Sequence, residues 1–297
     1  MRAALTALTD ELQRLKTAGV KSVSVSEASM EALRRVVSAR SVAPVAVESL
    51  RLPQVAAEPK RPRAVAPPAK PVSTMPPPPT VALPAGSKQE RWDALLALVQ
   101  NDAVCRAHVR PGKKIVLGVG NLEAQIMFVG EAPGAEEEVQ GEPFVGPAGQ
   151  LLTKMIQGMG LKRGDVYIGN IMNWRPEMPT PEGQQQVGNR PPTEEEMRFC
   201  LPYLRAQIDV VNPTLLVALG KTAVEGLLGF GKFKTLGEAR GLWHEFAGKP
   251  LMVTYHPSYI LREPTNRKNR LIWEDLLKVM ERAALPISDK HRGYFIG

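Results

Sequence analysis

From Gln89 onward the chain alternates short apolar runs with longer stretches whose apolar residues recur at helical spacing. The runs Lys114–Val119, Gln125–Val129, Val166–Ile171, Leu215–Leu219 and Leu251–Thr254 predict strands. Arg91–Gln100, Gly149–Gly158, Glu194–Val211, Lys221–Leu228 and Asn269–Ala284 predict helices. Short apolar strands separated by helices imply an α/β fold, a three-layer α/β/α sandwich around a mainly parallel central sheet. Sites in such sheets lie at the carboxyl ends of the strands. The loops after Val129, Ile171, Leu219 and Thr254 are therefore the informative ones.

The first part of the chain follows other rules. In residues 1–40, Leu5, Leu8, Leu12 and Leu15 line one helix face. Val23 and Val25 alternate with serines, and Ser29 is placed to cap a second helix through Leu33, Val36 and Val37. This segment is too small to bury a core alone, so it reads as a docking element for a protein partner or as a weakly ordered end, with docking preferred. Residues 41–88 read as a Pro/Ala-rich linker, with the run Met75-Pro-Pro-Pro-Pro favouring extended conformations. Arg51, Lys60, Arg61, Arg63 and Lys70 make it basic, either as a solvated spacer or as an electrostatic tether for DNA phosphates. Residues 89–286 then form the α/β domain and 287–297 a C-terminal tail.

Charge and composition narrow the class. The 297 residues carry a formal net charge of +8, which suits a polyanionic partner or a merely basic protein. No apolar run reaches the roughly 18 residues of a membrane span, and Met1–Lys16 lacks an apolar signal core, so no membrane association and a cytoplasmic location are expected. Two cysteines, Cys105 and Cys200, and four scattered histidines give neither a disulfide framework nor zinc spacing.

Four loops carry candidate chemistry. Gly130-Glu131-Ala132-Pro133-Gly134 leads to Gly141-Glu142-Pro143-Phe144-Val145-Gly146-Pro147-Ala148-Gly149. Its glycines allow close backbone approach to a ligand. Phe144, between small residues, can present its ring face to a base or fill the core beneath the loop. Asn170 ends a predicted strand, where its amide can pair with a planar amide edge or serve a turn. In Gly188-Asn189-Arg190-Pro191-Pro192-Thr193, Thr193 and Glu196 form a capping box, leaving Asn189 and Arg190 for substrate. His256-Pro257-Ser258-Tyr259-Ile260-Leu261-Arg262 follows the last strand, with His256 at its start. A shorter glycine pattern, Gly118-Val-Gly-Asn, offers a weaker alternative, a phosphate loop of a nucleotide-binding α/β protein.

In this order and spacing, the GEAPG loop, the GEPFVGPAGQLL run, Asn170, the NRPPT segment and HPSYILR resemble the uracil-DNA glycosylase superfamily, most closely family 4, over about residues 100–280. The resemblance implies excision of uracil from single- or double-stranded DNA by base flipping, the first step of base excision repair. It implies that Phe144 stacks on the flipped uracil and that Asn170 reads its Watson–Crick edge. His256 would donate to a uracil carbonyl. Glu131 and the amides around it, Ala132 among them, would line the pocket and position water. Ser258, Tyr259 and Arg262 would contact DNA, with Arg190 as a further DNA contact. Preorganised donors aimed at the charge that uracil gains on leaving supply the acceleration.

Two departures qualify the resemblance. Ala132 lies where some superfamily members place a water-activating carboxylate, which family 4 also lacks. Asn189 or Glu131 would orient the water instead. Family 4 typically holds a [4Fe–4S] cluster on four cysteines. Cys105 and Cys200 match two of these positions, Asp102 stands near the first and Trp174 replaces another, so no cofactor and no metal are expected. Trp174 and its neighbours are expected to fill that volume, with the two cysteines near each other. Glu177–Val187 is an insertion relative to the family and is expected to form a surface loop near the site. A non-catalytic damaged-DNA binding protein on the same fold is the alternative.

Overall fold

The computed structural model describes residues 75–180 and 184–296. The helical segment at 1–40 and the linker up to residue 74 lie outside the described residues, as do residues 181–183 of the insertion. Met75, Val81 and Leu83, at the end of the Pro-rich stretch, pack against the core.

The elements in chain order are α1 (Lys88–Asn101), α2 (Ala103–Ala107), β1 (Val119–Gly120), β2 (Ile126–Gly130), α3 (Glu137–Gln140), α4 (Pro147–Gly158), β3 (Tyr167–Asn170), α5 (Glu194–Val211), β4 (Leu215–Leu219), α6 (Lys221–Leu228), α7 (Leu236–Ala239), β5 (Trp243–Phe246), β6 (Lys249–Thr254), α8 (Ser258–Arg262), α9 (Asn266–Arg282) and α10 (Asp289–Gly293). The six strands form one sheet in the order β1-β3-β2-β4-β6-β5. The four central strands are parallel and the two edge strands antiparallel.

Period-2 alternation divides the strands between two cores. Met127, Val129, Leu216, Ala218, Leu251 and Val253 point to one face, where α1, α5 and α6 contribute Leu95, Cys200, Tyr203 and Val224. Ile126, Phe128, Leu215, Val217 and Met252 point to the other, against Leu152 and Ile156 of α4 and Trp273 and Leu276 of α9. Strands buried on both faces and helices above and below make the expected three-layer sandwich.

Topology positions the site. From β2 the chain crosses to β3 on one side, then returns through α5 to β4 on the other. The strand order thus reverses around β2, which creates a crevice at the carboxyl ends. The register places Gly130 beside Asn170 and Leu219 beside Thr254, so the loops that follow open at one level.

The structure adds the short helices α2, α3, α7 and α8, starts α9 at Asn266 where Asn269 was expected, and departs from the sequence reading in larger ways as well. Of the expected strand Lys114–Val119 only Val119 lies in a strand, β1, which ends at Gly120. The rest is held by single contacts, Lys114 N–H to the Glu138 carbonyl at 2.7 Å and Val116 N–H to the Asn173 carbonyl at 2.8 Å. Strand β5 lies in a region that carried no expected strand. Its turn to β6 places Ala247 at φ 51° and Gly248 at φ 70°. Two left-handed central residues make a hairpin turn, but Ala-Gly lacks the Asn-Gly signature that announces one. The tail at 287–297 is also ordered as far as it is described. Trp273 donates its indole N–H to the His291 carbonyl at 2.6 Å, and Arg270 donates to the Tyr294 carbonyl at 2.9 Å.

Gly118 is a packing glycine and not part of a phosphate loop. Its N–H donates to Gln207 Oε1 at 3.0 Å, and a Cβ there would lie 2.4 Å from that oxygen. Gln207 also accepts from the Tyr167 hydroxyl at 3.2 Å, and Gln207 and Tyr167 are both buried. Gln207→Leu leaves two buried donors unpaired. Loss of about 2 kcal/mol is expected, measured as a lower urea midpoint with an unchanged m-value.

Candidate active site

The loops after β2, β3, β4 and β6 enclose a cavity of about 890 Å³. Glu131, Ala132, Phe144, Asn170, Asn189, His256, Ser258, Tyr259 and Arg262 all line it. One expected site residue does not. Arg190 is committed to Glu196 through two hydrogen bonds of 2.8 and 2.7 Å, and its Nε donates to the Glu177 carbonyl at 2.6 Å. The structure assigns it to fastening the insertion onto the capping box of α5, because Glu196 is the carboxylate of that box.

Backbone shape fixes Phe144. It is a non-glycine residue at φ 55°, in the left-handed region, and is nearly buried. Such a conformation persists only where surrounding structure over-determines it. Its carbonyl overlies Gly149, where a Cβ would come within 1.8 Å of the oxygen. Gly130 separates the Phe144 ring from the Asn170 amide, since a Cβ there would meet Phe144 Cζ at 2.4 Å and Asn170 Oδ1 at 2.5 Å. The Phe144 ring also lies 5.5 Å from the His256 ring, at an interplanar angle of 31°. The ring is both part of the core and a wall of the cavity.

Asn170 brings a buried amide to the cavity wall. It is 5% exposed, and Oδ1 has no hydrogen-bond partner. A buried acceptor without a donor costs about 1–3 kcal/mol and favours any ligand that brings an N–H.

His256 is a neutral donor. The Ser258 backbone N–H donates to Nδ1 at 3.2 Å, and the Ser258 hydroxyl oxygen lies 2.9 Å from the same atom. A backbone amide can only donate, so Nδ1 is the acceptor nitrogen and Nε2 carries the proton. Burial lowers the imidazole pKa to about 4, with Arg262 adding to the shift and Glu137 opposing it. Desolvation likewise raises the Glu131 carboxyl, against a hydrogen bond from Thr222 and with help from Glu225.

Two residues missed by sequence reasoning hold this geometry. Glu137 accepts from the Gly134, Val145 and Gly146 amides at 3.0, 3.0 and 2.9 Å, and so clasps the two glycine-rich loops together. The signal was an acidic residue three positions after Gly134, obscured by its neighbours Glu136 and Glu138. Arg175 donates from Nε to Asn189 Oδ1 at 2.7 Å, to the Gly188 carbonyl at 2.7 Å and to buried Glu138 at 2.9 Å. With Oδ1 bound to Arg175, Asn189 presents its Nδ2 toward Gly134 and the cavity. The described ends of the insertion are stapled by buried Gln186, which donates to the Pro176 carbonyl at 3.1 Å and accepts from Met178 N–H at 3.1 Å.

With this geometry established, residues 117–277 match the family model of the uracil DNA glycosylase superfamily. The chain belongs to that superfamily. A type-4 uracil-DNA glycosylase of Thermotoga maritima is 38% identical over 65% of this chain and 94% of its own length. One of Saccharolobus solfataricus is 40% identical over 57% of this chain and 76% of its own. A type-5 uracil-DNA glycosylase of Pyrobaculum aerophilum is 33% identical over 56% and 73%. Among these superfamily members the chain is most similar to type 4.

The residues at the family-4 cluster positions do not fit a four-thiolate group. Cys105 and Cys200 are fully buried, and burial pushes both thiols up, away from thiolate. They lie together against Asn173. The Asp102 carboxylate accepts from Cys105 N–H at 2.7 Å and from the Tyr203 hydroxyl at 2.9 Å. Trp174, 1% exposed, packs 4.8 Å from His108 and 6.1 Å from Phe199. Two thiols, an engaged carboxylate and an indole cannot replace four thiolates.

The depressed His256 pKa couples folding to pH. The unfolded imidazole takes up its proton near 6.5 and the folded one near 4. Between those values the unfolded chain binds more proton, so stability falls as pH drops through the window and is unaffected above it. An NMR titration of the His256 ring is expected to show a midpoint near 4, and His256→Gln is expected to lose less stability than the parent between pH 7 and pH 5.

Proposed function

We propose that the cavity takes an extruded uracil and that the chain hydrolyses its bond to deoxyribose in DNA. The observation that carries this reading is the unpaired Asn170 Oδ1, held beside an aromatic ring and a neutral imidazole donor. Uracil offers an N3–H donor on the edge where cytosine offers an acceptor. A buried acceptor therefore favours uracil and repels cytosine. Phe144 supplies the apolar face for the flipped base.

Bond breaking leaves negative charge on uracil and positive charge on the sugar. His256 Nε2–H donates to the departing uracil oxygen and needs no full proton transfer, because a fixed donor in a water-poor site stabilises the developing charge. The low His256 pKa keeps the ring neutral at pH 7. Asn189, oriented by Arg175, acts as a donor to water or substrate oxygen, while the Glu131 carboxyl lines the cavity near Thr222. No carboxylate stands at position 132, so general-base activation of water there is weak.

DNA contact is assigned to the rim. Ser258, Tyr259 and Arg262 lie on α8, with Tyr259 stacked on Tyr255 at 4.4 Å. Leu261 beside them is 45% exposed and lines the same opening. An exposed apolar side chain there serves as a wedge that holds the duplex open behind the flipped base. The chain performs this reaction without an iron–sulfur cluster. A damaged-DNA binder without catalysis would share the rim but would not need a neutral, pre-aimed imidazole.

The test is release of uracil from a labelled oligonucleotide under single-turnover conditions, followed by alkaline cleavage of the abasic site. His256→Ala is expected to slow release about 10²–10³-fold with folding retained. Asn170→Asp is expected to slow uracil release and narrow the preference over cytosine. Binding without strand scission in the parent protein would favour the damage binder. Purified protein is expected to be colourless with sub-stoichiometric iron, and a visible iron–sulfur band with stoichiometric iron would contradict the cluster-free reading.

A further inference from the structure

A second opening adjoins the uracil cavity and is not used by the chemistry above. It holds about 610 Å³ and is lined by Trp92, Arg106, Arg110, Lys113, Lys114 and the stretch 140–142. The two openings share one wall. Residues Gly134–Glu137, Phe144 and Gly146 line the cavity, while Gln140–Glu142, between them, line the groove.

The groove is cationic after its internal pairs are counted. Arg110 pairs with buried Glu138, which also holds Arg175. Lys113 Nζ is only 4.0 Å from that carboxylate, and Lys114 Nζ reaches the Gln140 carbonyl at 3.3 Å. Arg106 is exposed, and its guanidinium has no ion pair or hydrogen bond among the described residues. Glu142 is the one carboxylate lining the groove among the described residues, and it faces Arg163 as well. Trp92 brings an aromatic surface, fixed by its indole N–H donating to the Tyr167 hydroxyl at 2.9 Å. Cations beside a fixed aromatic ring are the arrangement that holds single-stranded nucleic acid, with phosphates on the charges and a base against the ring. The volume lies within the range of sites for small organic groups, about 300–1,000 Å³.

We propose that this groove receives the DNA strand that continues from the base held in the cavity. Arg106, Lys113 and Lys114 bind its phosphates, and Trp92 takes one unpaired base. The strand's origin rests on the glycosylase reading, but its binding is measurable without any excision.

The experiment is fluorescence anisotropy of an undamaged single-stranded oligonucleotide with the full chain across a salt series. The variant carries Arg106→Glu, Lys113→Glu and Lys114→Glu. The control carries Lys249→Glu, Lys290→Glu and Arg292→Glu, which line neither opening. Three lost phosphate contacts should weaken binding at least about tenfold at low salt and make the slope of log K against log salt shallower by about 2. The control should change little. Equal effects in the two variants would overturn the proposal. Displacement of the oligonucleotide by thymidine monophosphate at matched ionic strength would also overturn it, because the groove would then be a mononucleotide pocket. Thermal melting checks folding. If the reversals unfold the chain, the same three positions changed to Gln should show a smaller loss in the same direction, and no loss there would refute the strand site.

Discussion

A buried hydrogen-bond acceptor without a donor is an expensive feature in a protein interior, and this site is built around one. Asn170 Oδ1 sits at the end of β3 with no partner. Its place follows from the sheet register, which aligns Asn170 with Gly130, and from the absence of a side chain at Gly130. A Cβ at that glycine would displace both the Phe144 ring and the amide oxygen. The shape of the cavity wall is therefore inseparable from the backbone of β2, and the clasp of Glu137 across the two glycine-rich loops keeps that backbone and the Phe144 turn in one arrangement.

Electrostatics act in the same direction. Burial that would be a liability for a charged imidazole is useful for a neutral one, because it removes water that would compete for the departing base. The Ser258 amide selects the tautomer, so the donor proton lies on the nitrogen left free for substrate. Around this centre the cations are sorted by function. Arg175 and Arg190 are drawn into the structure by Glu138 and Glu196, whereas Arg106 and Arg262 remain on the surface beside the two openings.

Much of this was legible in the sequence. Strand β4 and helices α5 and α6 carry their limits plainly, because apolar periodicity and the Thr193–Glu196 box agree there. The loop residues Phe144, Asn170 and His256 converge as their order along the chain implied. What was hidden depended on partners far away in sequence. The stretch from Lys114 reads as a strand but donates its backbone N–H groups to Glu138, Asn173 and Gln207. Arg190 reads as a free cation until Glu196 is placed beside it. The signal at Glu137, three positions after Gly134, is masked by two neighbouring glutamates, and Arg175 shows no local pattern that distinguishes a clasp from a solvated charge. The region of Cys105 and Cys200 was the converse case, since the chain's two cysteines and Trp174 could be read directly from the sequence. The structure adds how the space is filled, with Trp174 against His108 and Phe199, and with the Asn173 and Trp174 side-chain donors left unpaired.

The central claim is that an orphaned amide oxygen chooses the base by asking it for an N–H. Substituting N3-methyl-deoxyuridine for deoxyuridine in the same oligonucleotide removes that donor and leaves the glycosidic bond and both carbonyls in place. Single-turnover release rates of the two bases compare the cases directly. The account predicts a rate for N3-methyluracil lower by about 10²-fold or more, the range expected when a buried polar partner is left unmatched. Equal rates for the two bases would contradict it.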